Sequence, residues 1–166
     1  PHRRIPDELA ELCMRALALE SEDRLADAGA VAAGLQAFME GLRRREEALR
    51  RLADGEALWS RYGELRERLA ALDLQLTALA AEVQPWTPIE EKQDLLAARE
   101  ERDALDIERA GCFGQLVTVA ERALSHDPEN PEVRAFLARA WWSRFEEAEA
   151  RRDPAEQALY AGWVRE

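Results

Sequence analysis

The chain has 166 residues, of which 47% are hydrophobic and 34% are charged, and it carries a formal net charge of −11. This length allows one domain or slightly more. The acidic balance argues against a nucleic-acid partner, because phosphate binding requires a basic face. No apolar run in the sequence reaches the ~18 residues that a membrane-spanning helix requires. We therefore expect a cytoplasmic protein without membrane contact.

Abundant Leu, Ala, Glu and Arg favour an all-α fold of long helices with narrow apolar stripes. The first two predicted helices are short. One covers residues 7–20 and the other residues 26–40, where Gly29 and Gly34 weaken the helix by up to about 1 kcal/mol each unless a neighbour packs closely against them. Two helices of this length cannot bury both apolar faces against each other, so they require a larger body.

The N-terminal residues follow a pattern with recognisable spacing. Its members are Ile5-Pro6, Leu9, Leu12, Arg15-Ala16-Leu17, Arg24-Leu25, Ala28, Val31, Leu35 and Phe38. This pattern resembles the end of the catalytic domain in bacterial, eukaryotic-like serine/threonine protein kinases. The resemblance implies that residues 1–41 are the last two helices of a kinase C-lobe. It also implies that Arg24 is the arginine that pairs with the Glu of an A-P-E motif, which is not in this chain. Ser21 departs from the pattern, since the family usually has Pro there.

Motifs that transfer phosphate are missing from the sequence. It contains no glycine-rich phosphate loop, no H-R-D catalytic loop and no D-F-G. Ser125-His126-Asp127 precedes Pro128, which indicates a turn. We therefore expect a non-enzymatic segment with no catalytic residue, no metal site and no cofactor. The resemblance implies ATP and Mg only for an absent kinase lobe.

Residues 42–125 predict a long antiparallel helical hairpin, coiled-coil-like, with its turn at residues 84–88. Apolar residues recur at spacings of 3 and 4, which is a heptad seam. In the first arm they are Tyr62, Leu65, Leu69, Leu72, Leu76, Leu79 and Val83, and in the second arm Ala110, Phe113, Val117, Ala120 and Leu124. Pro85 ends the first arm, and Thr87 is expected to cap the second arm with Pro88 at its first position.

Three features modify this hairpin. The heptad phase slips near Gly55, which predicts a bend or a break there. Gly63 lies in the seam, where a glycine allows a partner helix to approach closely. The charged stretches Arg99–Asp103 and Asp106–Arg109 interrupt the second arm. Their simplest interpretation is a solvent-exposed face laced with ion pairs, and the alternative is a docking surface that makes Arg99 and Arg102 candidate partner-binding residues.

The C-terminal part carries a second pattern, made of Ala120, Ala123-Leu124, Asp127-Pro128, Asn130-Pro131, Leu137-Ala138 and Trp141. It resembles the junction between two tetratricopeptide (TPR) repeats, so residues 126–166 are expected to be TPR-like. Asn130 is expected to cap a helix that has Pro131 at its first position and extends to Arg152, longer than a repeat helix. Asp153-Pro154 then starts a last helix over residues 155–165.

Cysteines and tryptophans complete the set of candidate residues. Cys13 and Cys112 lie far apart among apolar neighbours, which predicts two reduced, buried thiols. Trp141 is expected in the core, whereas Trp86 and Trp142 are candidate partner-binding residues, since aromatic side chains are enriched at interfaces.

As a whole, the chain resembles the region that follows the catalytic domain in some large bacterial kinases. This implies a non-catalytic regulatory or scaffolding fragment that mediates protein–protein interaction or dimerisation. Its expected partners are the rest of the kinase, another protein, or a second copy of the chain. The alternative is a stand-alone, TPR-like helical adaptor that binds a partner peptide.

Overall fold

The fold is all-α in the computed structural model, which describes residues 5–165 and shows no strand among them. The helices are α1 (Asp7–Ala16), α2 (Ala28–Glu82), α3 (Gln93–His126), α4 (Pro131–Arg151) and α5 (Pro154–Arg165), and a short 3-10 helix (Ile89–Lys92) precedes α3. Helices α2 and α3 pack against each other, which confirms the predicted all-α class and the hairpin. Residues 1–4 and 166, at the ends of the first and last predicted segments, lie outside the described residues.

Two compact units divide the chain: an N-terminal unit, Pro1–Glu47, and a C-terminal unit, Ala48–Glu166. In the N-terminal unit, the Asp27 carboxylate caps α2 by accepting a hydrogen bond from the Ala30 N–H at 2.8 Å. A Cβ added at Gly34 would lie 2.5 Å from Leu12 Cδ1. The close neighbour that the sequence required at this glycine is therefore α1.

Three expectations for the N-terminal unit are wrong. Helix α1 ends at Ala16 instead of continuing to residue 20, and Cys13 is exposed instead of buried. The predicted helix over residues 26–40 does not stop at Gly41, because it is the first part of α2. A single glycine in a helix costs only about 1 kcal/mol and, unlike proline, removes no hydrogen-bond donor.

The first arm of the hairpin buries the predicted seam. Tyr62, Leu65, Leu69 and Leu72 are buried, and Leu76, Leu79 and Val83 are half-buried. The predicted second-arm seam is correct only in part. Phe113 and Ala120 are buried, and the Phe113 ring lies 5.5 Å from that of Tyr62 in the first arm, but Ala110 is exposed. A second heptad on α3 is also largely buried, and its members are Leu95, Ala98, Arg102, Leu105, Arg109, Cys112, Leu116, Val119 and Ala123. Two contacts show that this heptad faces α2: the Cys112 thiol lies 3.4 Å from the Leu58 carbonyl oxygen, and Arg102 donates to Asp73.

The helix does not break at Gly55, because α2 continues through it. This residue is buried, and a Cβ there would lie 3.2 Å from Phe136 Cζ. By contrast, a Cβ at Gly63 would meet nothing within 4 Å. The close approach expected at Gly63 is therefore wrong, and the close approach occurs at Gly55, where α4 contacts α2.

The turn between the arms differs from the predicted cap. Thr87 Oγ1 accepts a hydrogen bond from the Gln84 N–H at 3.0 Å, so it bonds back to the end of the first arm. Pro88 is extended, with φ −53° and ψ 152°, and no side chain caps the 3-10 helix that follows. Pro88 therefore lies before the helix, not in its first turn.

The C-terminal connections form as predicted. Asn130 Oδ1 accepts hydrogen bonds from the N–H groups of Glu132 and Val133 at 3.1 and 3.2 Å, with Pro131 at the first helical position. Helix α4 ends at Arg151, and the residue that caps it, Arg152, is in the left-handed region with φ 57° and ψ 40°. Asp153 Oδ1 then accepts from the N–H groups of Ala155 and Glu156, which starts α5.

Candidate functional site

An apolar groove of about 510 Å³ lies between α3, α4 and α5 in the C-terminal unit. We call this the α3–α5 groove. It is lined by Val117, Glu121, Leu124, Pro128, Arg134, Leu137, Ala138, Trp141, Trp163 and Val164. Val117 and Leu124 belong to the apolar stripe of α3 that the sequence assigned to the hairpin seam. These two residues line the groove, whereas Phe113 of the same stripe contacts both Tyr62 of α2 and Trp141 of α4.

Stacked aromatic rings form one wall of the α3–α5 groove. The Trp141 ring stacks on the rings of Tyr160 and Trp163, with centroids 5.9 and 5.6 Å apart, and meets Phe113 edge-on at 5.0 Å. Trp141 packs against the core, as predicted, whereas Trp163 is about half exposed. Aromatic pairs of this kind hold a wall rigid and present a large apolar surface.

Two charged side chains border the α3–α5 groove, and they differ in how they are paired. Arg134 donates to the Pro128 carbonyl oxygen at 3.0 Å and to Glu129 at 2.8 Å, so its charge is neutralised. Glu121 is exposed, and its carboxylate has no ion pair or hydrogen bond with any described residue. The groove therefore carries one uncompensated negative charge.

A buried charge network lies on the other side of α4. Its centre is the Glu147 carboxylate, which accepts a hydrogen bond from the Tyr62 hydroxyl at 2.7 Å. Three arginines also contact this carboxylate: Arg109 at 2.5 Å, Arg144 at 2.8 Å and Arg66 at 2.9 Å. Because the first two guanidiniums are nearly buried, they depend on this carboxylate for compensation. The network joins α2, α3 and α4.

Burial raises the pKa of the Tyr62 hydroxyl to about 12, and its hydrogen bond to Glu147 acts in the same direction. The proton thus stays on Tyr62, and the hydroxyl remains a donor to the carboxylate. This network stabilises a fold and does not resemble an acid/base pair poised near neutral pH.

A cavity of about 360 Å³ beside the network is lined by four arginines and bordered by matching carboxylates. The pairs are Arg66 with Glu147, Arg102 with Asp73, Arg109 with Asp106 and Arg151 with Glu156. Since the positive charges are matched one for one, the cavity offers no net attraction to a phosphate-like anion.

The candidate site residues predicted from sequence lie in different places, and none of these candidates borders the α3–α5 groove. Trp86, at the turn between the arms, is 81% exposed. Trp142 is half exposed, stacks on Phe145 and donates to Glu146 at 2.9 Å. Arg99 is exposed, whereas Arg102 is half-buried and bridges the two arms through Asp73 at 3.3 Å.

Arg24, assigned by resemblance to a pair with an absent glutamate, closes the loop between α1 and α2. Its Nε and Nη2 donate to the carbonyl oxygens of Ala18 and Leu19 at 2.8 and 3.0 Å. These bonds hold residues 17–24 in one conformation. They also fix the direction of the guanidinium group.

Three features of the described residues concern metal binding, thiol reactivity at Cys112 and membrane crossing. Residues 5–165 contain no cluster of three His, Cys, Asp or Glu side chains that could hold a metal ion. Burial raises the pKa of the Cys112 thiol above its ordinary value, which disfavours the reactive thiolate. None of the helices in this range is long and apolar enough to cross a bilayer.

Comparison with known proteins adds no relative: no family model matches the chain, and no curated protein or solved structure is significantly similar to it. The sequence signal that could have found the groove was the TPR-like spacing of Leu137, Ala138 and Trp141. These three residues line it.

Proposed function

We propose that this chain is a non-catalytic helical segment that organises protein–protein contacts, and that it belongs to the regulatory and scaffolding region of a cytoplasmic serine/threonine protein kinase. The observation that carries the proposal is the contrast in burial between the two units. No residue from Ile5 to Glu47 is buried, whereas the C-terminal unit has a continuous core.

The apolar side chains of the N-terminal unit are displayed outward. Met14, Leu17 and Leu19 are 71, 78 and 93% exposed, and Leu35, Met39 and Leu42 are each at least 41% exposed. Exposed apolar surface of this density marks an interaction site. It supports the view that residues 1–41 are the closing helices of a kinase C-lobe, whose other helices would cover these side chains.

The deciding experiment is to read the coding sequence immediately upstream of the codon for Pro1. A D-F-G motif followed by an A-P-E motif there would establish the kinase class. An upstream sequence with neither motif would refute it. Isothermal calorimetry with ATP and Mg gives a second test, because the proposal requires that this chain alone binds no nucleotide.

Self-association is a separate part of the proposal. Light scattering at tens of micromolar tests it on the chain itself. A dimer that becomes monomeric in the double variant Met14→Lys, Leu17→Lys supports pairing through the N-terminal unit. A strict monomer removes self-pairing and leaves the kinase lobe or another protein as the partner.

A second candidate function is a TPR-like adaptor that binds a segment of a partner protein. The observation in its favour is the α3–α5 groove, which is apolar, has aromatic walls and is large enough for several side chains. Protein-protein hot spots have this character. The test is binding of helical peptides, as described below.

A further inference from the structure

The α3–α5 groove has the position of a missing helix. Helices α4 and α5 pack against each other along α4, but only the last turn of α5, through Trp163 and Val164, lines the groove. Beyond that turn, Leu137 and Ala138 of α4 and Val117 and Leu124 of α3 form facing apolar walls. These walls leave an apolar groove of about 510 Å³ that is open to solvent.

The lining also selects the backbone conformation of an occupant. Eight of its ten residues are apolar, and the two charged ones lie among them as single side chains. An extended peptide would bring unpaired N–H and C=O groups against these walls, which is costly. A helix satisfies its backbone hydrogen bonds internally, so it enters an apolar groove without that penalty.

The charges at the α3–α5 groove favour a particular charge on the side chains of its occupant. Glu121 is the carboxylate without a partner among the described residues, while Arg134 is held by Glu129 and the Pro128 carbonyl oxygen. The chain as a whole carries −11. Both the local and the total charge therefore favour a basic partner and disfavour an acidic one.

We propose that the α3–α5 groove binds an amphipathic helix of a partner protein, which presents an apolar stripe to the groove and a Lys or Arg to Glu121. This inference rests on the proposed role in protein–protein contacts and specifies the chemistry of the partner. Small apolar side chains of the helix lie against Ala138, and a larger one lies against Trp141 and Trp163.

The probe is a displayed library of 16-residue helices. Their apolar stripe is built from Ala, Val and Leu, and four flanking positions are each Lys, Gln or Glu in equal amounts. The library is selected on the full chain and on three variants. Glu121→Gln removes the carboxylate, Glu101→Gln removes an exposed carboxylate from the same helix outside the groove, and Ala138→Trp fills the groove.

The expected result is enrichment of Lys at one flanking position on the natural chain and on Glu101→Gln. On Glu121→Gln this enrichment disappears although helices still bind, and on Ala138→Trp binding falls to background. For a selected helix, replacing its Lys by Gln should weaken binding about two- to fivefold, the range of a partly exposed ion pair. The loss should shrink at high salt.

The contrary outcomes separate the two levels of inference. Helices that bind with no preference among Lys, Gln and Glu overturn the basic-partner inference and leave the adaptor function standing. No helix bound above the Ala138→Trp background overturns docking at this groove. Because Glu121 is exposed, Glu121→Gln is expected to fold normally, and circular dichroism confirms the fold of all three variants.

Discussion

Glu147 is the residue whose removal should cost the C-terminal unit the most. Its carboxylate contacts three arginines and the Tyr62 hydroxyl, and its side chain is only 12% exposed. Replacing it by Gln keeps the shape of the side chain and removes the charge. Two nearly buried guanidiniums, those of Arg109 and Arg144, would then face each other without their shared carboxylate.

The expected loss follows from what each arginine retains. Breaking a buried ion pair by removing one partner costs about 3–5 kcal/mol. Arg109 keeps Asp106, at 2.8 Å, and Arg144 keeps the Tyr160 hydroxyl, at 2.9 Å, so the lower end of that range applies. We expect Glu147→Gln to lower the free energy of unfolding by about 3 kcal/mol, which corresponds to roughly 10 °C in Tm for a chain of this length.

Urea unfolding, followed in parallel by far-UV circular dichroism and tryptophan fluorescence, measures this loss. The matched control is Glu108→Gln, since Glu108 pairs with Arg61 at 2.6 Å but both side chains are largely in solvent. That exposed pair should contribute little to stability, because water and salt screen it. If the two variants unfold within about 0.5 kcal/mol of each other, the network does not carry the energy that we assign to it. Adding Arg109→Leu to Glu147→Gln should recover part of the loss, because the uncompensated charge is then gone.

Three further variants test other parts of the fold. Tyr62 releases its proton near pH 10 in the unfolded chain and near pH 12 in the folded one. Its contribution of about 3 kcal/mol to the free energy of unfolding is therefore complete below pH 10 and is lost as the pH rises toward 12. Urea midpoints across this range should fall more steeply for the natural chain than for Tyr62→Phe. Gly63→Ala should stabilise α2 by up to about 1 kcal/mol in thermal unfolding. Gly55→Ala should be at least about 1 kcal/mol less stable than Gly63→Ala, because its Cβ would press on the buried Phe136 ring at 3.2 Å. Equal melting temperatures of the two variants would contradict this. Asn130→Ala should cost about 2 kcal/mol in urea unfolding, since it removes a buried cap, and Asn130→Ser, which keeps a capping oxygen, should lose clearly less.

Local sequence signals predicted the helices and several of their ends. The period of Tyr62, Leu65, Leu69 and Leu72 was sufficient to identify the buried face of the first arm, because all of its members are apolar. Asn130-Pro131 was sufficient to predict the start of α4, because a cap acts through bonds to residues two and three positions away. Such signals depend on neighbours in the chain, and they can be recognised without knowing the tertiary packing.

The second-arm seam could not be predicted in the same way. Its heptad includes Arg102 and Arg109, which a search for apolar residues passes over. These arginines are acceptable in the seam because Asp73 and Glu147 compensate them, and those partners are 29 and 38 residues away in sequence. The predicted apolar stripe serves two interfaces, since Phe113 contacts Tyr62 of α2 while Val117 and Leu124 line the α3–α5 groove. Assigning one stripe to one neighbour requires the tertiary structure.

The sequence predicted a TPR-like segment and a peptide-binding adaptor as an alternative, but it predicted neither the position nor the chemistry of the groove. The spacing of Leu137, Ala138 and Trp141 indicated a helix-packing face, but Val117 and Trp163 come from helices on either side in sequence. How far α5 extends along α4 decides whether these side chains are covered. That distance follows from the left-handed turn at Arg152 and the cap at Asp153, whose combined effect on helix direction no local pattern specifies.

Because Arg109 of α3 pairs with Glu147 of α4, the hairpin and α4 should be kept together when the chain is recombined with other sequences. Grafted onto a different C-terminal region, α2 and α3 would lose the Glu147 carboxylate of α4, and Arg109 would keep only Asp106 as its partner. Gene fusion or domain shuffling that preserves a folded product should therefore cut outside residues 48–151. Protein engineers who want the two arms as a spacer would first have to replace this side chain with an apolar one.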